Sequence, residues 1–64
     1  MEKISGLDLL LERRRRALTQ WQLARLSDVP PYKISSVENY RDELTPDEES
    51  RLRAALQSVP PERG

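Results

Sequence analysis

The side chains best suited to acid–base chemistry in this chain are three consecutive carboxylates, Asp47, Glu48 and Glu49. Carboxylates act as general acids or bases when a nucleophile or a second titratable group lies beside them. The sequence contains no Cys and no His, which excludes a thiol nucleophile, an imidazole base, disulfides and Cys/His metal sites. The three acids also follow Thr45-Pro46, a helix start at which acidic residues stabilise the N-terminus. We therefore expect no enzymatic activity, no cofactor and no metal.

A different chemistry, the binding of an anion by a helix N-terminus, is indicated at Thr19. This residue is a good N-cap, and Gln22 stands three residues later, as in a capping box. The free N–H groups of such a helix and the positive end of its dipole can hold a phosphate. A second helix start follows at Pro31, after a break at residues 27–29 in which Asp28 tolerates a left-handed conformation. Two helices joined by so short a turn can place one across a DNA backbone and the other in the major groove.

Helix signals cover most of the chain, and strand signals are few. Helices are predicted over about residues 6–16, 20–26 and 31–39, and from residue 46 onward. Four short helices with short connections predict a compact all-α domain over residues 1–57. The remaining residues, 58–64, contain Pro60-Pro61 and are predicted to form a disordered tail.

The apolar pattern predicts which faces of these helices are buried. In the first helix, Leu7, Leu10 and Leu11 lie on one face and are expected to pack inward. The run Arg13–Arg16 at the end of that helix complements the helix dipole and is interpreted as a solvated helix end rather than a DNA contact. The other predicted core residues are Leu18, Leu23, Ala24, Leu26, Ile34, Val37, Leu52, Ala55 and Leu56.

The charges balance overall, but they are unevenly distributed. The chain has 11 basic and 11 acidic side chains, with a net charge of +3 over residues 1–41 and −3 over residues 42–64. This asymmetry fits a basic face followed by an acidic end, although mixed charged helix faces explain it equally well. No apolar run approaches the roughly 18 residues that span a bilayer, and no signal peptide is evident. We therefore expect a soluble cytoplasmic protein with no membrane partner.

Two blocks of sequence and their separation carry a family resemblance. The blocks are LTQWQLA at residues 18–24 and ISSVEN at residues 34–39. They resemble the Cro/repressor-type helix-turn-helix family, also called the XRE family, which reads Leu-Thr-Gln-x-x-Leu-Ala and then Ile-Ser-x-Ile-Glu-Asn-Gly. The resemblance covers roughly Leu9 to Leu56 and implies a four-helix, bundle-like domain of the lambda-repressor-like helix-turn-helix type. Departures include Asp28 and Tyr40, which stand where the family has Gly.

The resemblance also implies roles for individual side chains. Family members place base-contacting side chains at Pro31, Tyr32 and Ser36. The positions implied to contact phosphates are Thr19, Gln20, Lys33 and Asn39. Arg13 and Glu38 match an ion pair that ties the first helix to the third, although Arg14 could take the place of Arg13. The slot of Trp21 is usually exposed in the family, so Trp21 either contacts DNA or a partner, or folds over Leu18 or Arg25 as a partial lid.

The resulting functional hypothesis is a small sequence-specific DNA-binding regulator of phage or bacterial type, repressor- or Cro-like and associated with the nucleoid. One domain contacts one half-site, so a homodimer on double-stranded DNA is expected. The alternative is a protein-interaction module on the same fold, for example an antitoxin-like protein. The weak basic charge, the missing N–H of Pro31 and the aromatic residues Trp21, Tyr32 and Tyr40 favour that alternative.

Overall fold

The computed structural model describes residues 3–62, and this part of the chain contains four α-helices and no strand. The helices are α1 (Gly6–Arg15), α2 (Gln20–Ser27), α3 (Pro31–Glu38) and α4 (Pro46–Gln57). The predicted all-α class is confirmed, and the helix bounds agree with the predicted ones to within a residue or two. The radius of gyration, 10.6 Å, is that of a compact globule. None of the helices within residues 3–62 is long and apolar enough to cross a membrane.

Local capping explains where the helices begin. The Thr19 hydroxyl accepts a hydrogen bond from the Gln22 N–H, and the Gln22 side chain accepts one from the Thr19 N–H. Thr45 and Glu48 form the same reciprocal capping box at the start of α4. Helix α3 has no side-chain cap, and it begins at Pro31, whose missing N–H needs no partner at the first helical position.

The first three helices are followed by residues in the left-handed region, and none of these residues is glycine. Ala17 has φ 55°, Asp28 has φ 60° and Tyr40 has φ 59°. After α1, the N–H of Leu18 donates to the carbonyl of Arg13, which is the hydrogen bond that defines a Schellman motif. The predicted left-handed conformation of Asp28 is confirmed, and Tyr40 adopts a conformation in which glycine is usual.

The core lies between α2, α3 and α4, and α1 packs against α3. Leu9 is fully buried, whereas Leu7 and Leu11 are half-exposed, so the predicted inward face of α1 was wrong. The reason is that Arg13 and Arg16 turn inward on the same face of α1 as Leu9. Leu7 and Leu11 therefore lie on the outer side of the helix. Leu26 is also half-exposed, contrary to prediction. The buried apolar residues are Leu9, Leu23, Ala24, Val29, Ile34, Val37, Leu44, Leu52, Ala55 and Leu56.

The arginine run at the end of α1 is divided between two environments. Arg13 and Arg16 have only 11% of their side chains exposed, which corrects the interpretation of the whole run as solvated. The Arg16 Nε donates to the carbonyl oxygens of Leu56 and Val59, each at 2.7 Å. The Leu56 carbonyl also accepts the N–H of Val59, so Arg16 is a further donor at this end of α4 and fastens it to α1.

The segment after α4 is held by the same end of α1. The carbonyl of Val59 accepts a hydrogen bond from Arg16, and the N–H of Glu62 donates to the carbonyl of Arg15 at 2.7 Å. Val59 and Glu62, which belong to the predicted disordered tail, therefore make defined contacts with α1. Residues 63 and 64 of that prediction lie outside the described part of the chain.

Gly6 permits a close approach between the first turn of α1 and the last turn of α3. A Cβ atom at this position would fall on the carbonyl oxygen of Val37. Backbone groups cannot move aside as a flexible side chain can, so any larger residue at Gly6 would push the two helices apart.

We expect Ala17→Gly to stabilise the protein. A non-glycine residue in the left-handed region costs about 1–2 kcal/mol, and glycine adds about 0.4–1 kcal/mol of unfolded-state entropy, which leaves a net gain of about 0.5 kcal/mol. The urea midpoint of unfolding measures the change. The control is Ala54→Gly at an exposed position of α4, which should lose about 1 kcal/mol. Equal losses of stability in both variants would contradict the assignment of backbone strain to Ala17.

Candidate functional site

A buried carboxylate joins three of the helices behind the candidate site. The Glu38 carboxylate, 5% exposed, accepts hydrogen bonds from Nε and Nη2 of Arg13 at 2.8 and 2.9 Å. It accepts a third from Nε2 of Gln20 at 3.1 Å. Arg13 also donates to the carbonyl of Leu18 at 2.8 Å, so its charge is satisfied on the α1–α2 connection as well. The predicted Arg13–Glu38 ion pair is confirmed, and Gln20 extends it to α2.

The N-terminus of α2 lies beside this network. The capping box uses the N–H groups of Thr19 and Gln22, so the N–H groups of Gln20 and Trp21 have no acceptor within the helix. One hydrogen of the Gln20 amide is held by Glu38, and its other hydrogen is left for an external acceptor. The start of α2 therefore offers donors that could bind a phosphate oxygen.

A shallow cleft lies between the starts of α2 and α3, and we call it the aromatic cleft. Its volume is about 410 Å³. Trp21 and Tyr32 are 71% and 73% exposed. The sequence prediction assigned three of the lining residues to the binding face, left Trp21 open between a contact and a lid, and gave Ser35 no role. The lining residues are Gln20, Trp21, Pro31, Tyr32 and Ser35.

Trp21 was left with two interpretations, and its environment favours one of them. The residue lines the aromatic cleft on one side and a second surface depression with Arg25 and Pro30 on the other. Leu18 lies in a different depression, with Leu26. With 71% of its surface exposed, Trp21 is accessible to a binding partner.

Lys33, a predicted phosphate contact, already has partners within the chain. Its Nζ lies 2.8 Å from Oδ2 of Asp42 and 3.6 Å from Oε1 of Glu48, and 14% of its side chain is exposed. The hydrogen bond to Asp42 raises the pKa of Lys33 and, in return, lowers the pKa of Asp42. The N–H of Thr45 is the main cause of the lowered pKa of Glu48. A DNA phosphate would therefore have to displace Asp42 to reach Lys33.

The remaining predicted contacts lie along α3 and at its end. Ser36 is partly exposed, and its carbonyl accepts the N–H of Arg41 at 2.8 Å. Asn39 is exposed at the C-cap of α3, and its Nδ2 donates to the carbonyl of Ser35 at 2.8 Å. The same nitrogen lies 3.4 Å from the Ser35 hydroxyl, which leaves the amide oxygen of Asn39 for a ligand.

Comparison with protein-family models, with curated protein sequences and with solved structures finds no match to the chain. The helix-turn-helix resemblance of the two sequence blocks therefore stays a prediction that the residues and their geometry alone can support.

We expect Glu38→Gln to destabilise the fold strongly. The substitution leaves the largely buried Arg13 cation without a countercharge, and breaking a buried pair in this way costs about 3–5 kcal/mol. The free energy of unfolding from urea titration measures this loss. The control is Asp47→Asn, since Asp47 is 72% exposed and pairs with Arg51, which is itself 47% exposed. Exposed pairs contribute about 0–1 kcal/mol, so the two variants should differ clearly. Similar small losses in both would contradict the structural role of Glu38.

We expect the connection between α3 and α4 to lose stability in acid. The pKa values of Asp42 and Glu48 are lowered in the folded protein, so their contribution is present above the ordinary carboxyl pKa and is lost as the pH falls through their folded values. The thermal midpoint of the wild-type protein should fall between pH 7 and pH 2, and the midpoint of Asp42→Asn should fall less steeply. In a Lys33→Met background, Asp42→Asn should have little further effect. An unchanged pH slope in Asp42→Asn would contradict the assignment.

Proposed function

We propose that this chain is a sequence-specific DNA-binding regulator in which α2 and α3 act as a helix-turn-helix. The hydrogen bond from Gln20 to Glu38 is the observation that carries the proposal. It holds the N-terminus of α2, with its open N–H groups, against the last turn of α3. In a helix-turn-helix, the first helix contacts the phosphate backbone and the second presents its N-terminal residues to the bases. Tyr32, at the second position of α3, is exposed as that role requires.

Each side chain has a proposed part in this arrangement. Gln20 and the N-terminus of α2, capped by Thr19, bind a backbone phosphate and set the orientation of the domain. Tyr32 and Ser36 contact base edges in the major groove, and Pro31 contributes only apolar contact because it has no N–H. A homodimer would place two copies of α3 in successive major-groove segments, about 34–36 Å apart. Binding at a promoter would act as repression by occupancy, in the manner of Cro-like proteins, with the protein located at the nucleoid.

A second candidate function, the binding of a protein partner by the same face, is favoured by two observations. Lys33 is neutralised by Asp42 and Glu48, so it adds no free positive charge to α3. Trp21 and Tyr32 are more than 70% exposed, and aromatic residues of this kind are enriched at protein interfaces. No catalytic role is part of either proposal.

Selection of the full chain against a random duplex pool tests the DNA-binding proposal. We expect a palindrome with half-sites one helical turn apart, and an affinity that falls as salt rises because phosphate contacts release counterions. Gln20→Ala should weaken binding to all duplexes alike. Tyr32→Ala and Ser36→Ala should instead relax the preference for the selected sequence.

Matched substitutions outside the face serve as controls. Gln57→Ala and Tyr40→Ala remove the same side-chain types at exposed positions outside the aromatic cleft, and both should bind like wild type. Equal site preference in Tyr32→Ala and wild type would contradict the assignment of α3. A pool in which no sequence is enriched would favour the protein-binding candidate.

A further inference from the structure

The aromatic cleft has an unusual composition for a surface proposed to bind DNA. No charged side chain is among its lining residues, Gln20, Trp21, Pro31, Tyr32 and Ser35. The polar groups at its edge are partly used within the fold. Gln20 donates to Glu38, and the Ser35 hydroxyl lies 3.4 Å from the Asn39 amide nitrogen. Its walls are therefore mainly the indole, a proline ring and a phenol ring.

This composition limits what the cleft can bind in the major groove. Guanine is read most often by a bidentate Arg or Lys and adenine by a bidentate Asn or Gln. Lys33 is the one cation of α3, and its ammonium is held by Asp42 and Glu48. The one amide among the lining residues, Gln20, is the side chain proposed above to bind a backbone phosphate. The apolar feature that bases display in this groove is the methyl group on C5 of thymine.

We propose that the aromatic cleft binds the C5-methyl group of a pyrimidine, which in unmodified DNA makes it a thymine-reading pocket. This inference rests on the DNA-binding function proposed above. Trp21 of α2 lines the cleft together with Pro31 and Tyr32 of α3. A methyl group in this position exchanges water for three apolar surfaces, and neither of the helices has to supply a hydrogen-bond donor.

The cleft also assigns a specificity role to α2. Trp21 lies outside the helix that enters the groove, yet it shapes the same cleft as Tyr32. The preference for a methyl group should therefore depend on both residues together, whereas a contact made by α3 alone would depend on Tyr32 only.

Replacement of each thymine in the selected duplex by deoxyuridine, one at a time, tests the inference because uracil lacks only the methyl group. At one position in each half-site we expect the affinity of the full chain to fall about fourfold, the effect of burying one methyl-sized group. At that position, 5-methyldeoxycytidine paired with guanine should bind more tightly than deoxycytidine by a similar factor. Trp21→Ala and Tyr32→Ala should each reduce the thymine-to-uracil ratio to near one.

Tyr40→Ala is the matched control, since it removes an equally exposed aromatic ring outside the cleft and should keep the full ratio. If no deoxyuridine replacement changes the affinity, the methyl inference is overturned. The proposed DNA-binding function is retained in that case, because the selected duplex is still bound. A methyl effect that persists in both Trp21→Ala and Tyr32→Ala also overturns it, because the methyl group would then be bound elsewhere. Failure to select any duplex overturns both proposals.

Discussion

The Glu38 carboxylate is the group on which the arrangement of the first three helices depends. It is almost fully buried, and a buried charge is costly unless it is paired and hydrogen-bonded. Two guanidinium N–H groups and one amide N–H satisfy it, and these donors come from α1 and α2. Loss of the contact with Arg13 or with Gln20 would leave the Glu38 carboxylate incompletely hydrogen-bonded where little water reaches it. The relative placement of α1, α2 and α3 is thus specified by electrostatics as much as by apolar packing.

The same principle operates at the other end of α1. Arg16 donates to two backbone carbonyls at the end of α4 and to the Glu12 side chain, so its charge too is satisfied inside the fold. In the described part of the chain, no buried side-chain polar atom lacks a partner. A domain of this size buries little apolar surface, and well-satisfied polar contacts between helices help to fix one arrangement among several of similar packing.

Features set by neighbouring residues could be predicted from the sequence, and those set by distant residues could not. The caps at Thr19 and Thr45 are local signals, and both helix starts were predicted correctly. The buried face of α1 was missed because apolar periodicity favours leucines, whereas the structure turns Arg13 inward toward a carboxylate 25 residues away. That pair itself was predicted only through the family resemblance.

The candidate site shows the same division. Gln20, Pro31 and Tyr32 were assigned to the binding face, and they line one cleft together with Trp21, which the sequence left open between a contact and a lid. The partners of Lys33 could not be predicted, because Asp42 and Glu48 reach it across an irregular connection that has no periodicity. Ser35 was given no role, since nothing in its spacing marks it out as a lining residue.

The close contact at Gly6 has a consequence for how α3 is supported. Gly6 and Arg13 lie two turns apart on α1, about 10 Å, and both contact the last turn of α3, at Val37 and Glu38. Helix α1 thus holds α3 at its C-terminal end, while Pro31 and Tyr32 at the other end of α3 line the aromatic cleft. Those residues can be substituted without changing the contacts between α1 and the last turn of α3. New ligand preferences can therefore arise on an unchanged scaffold.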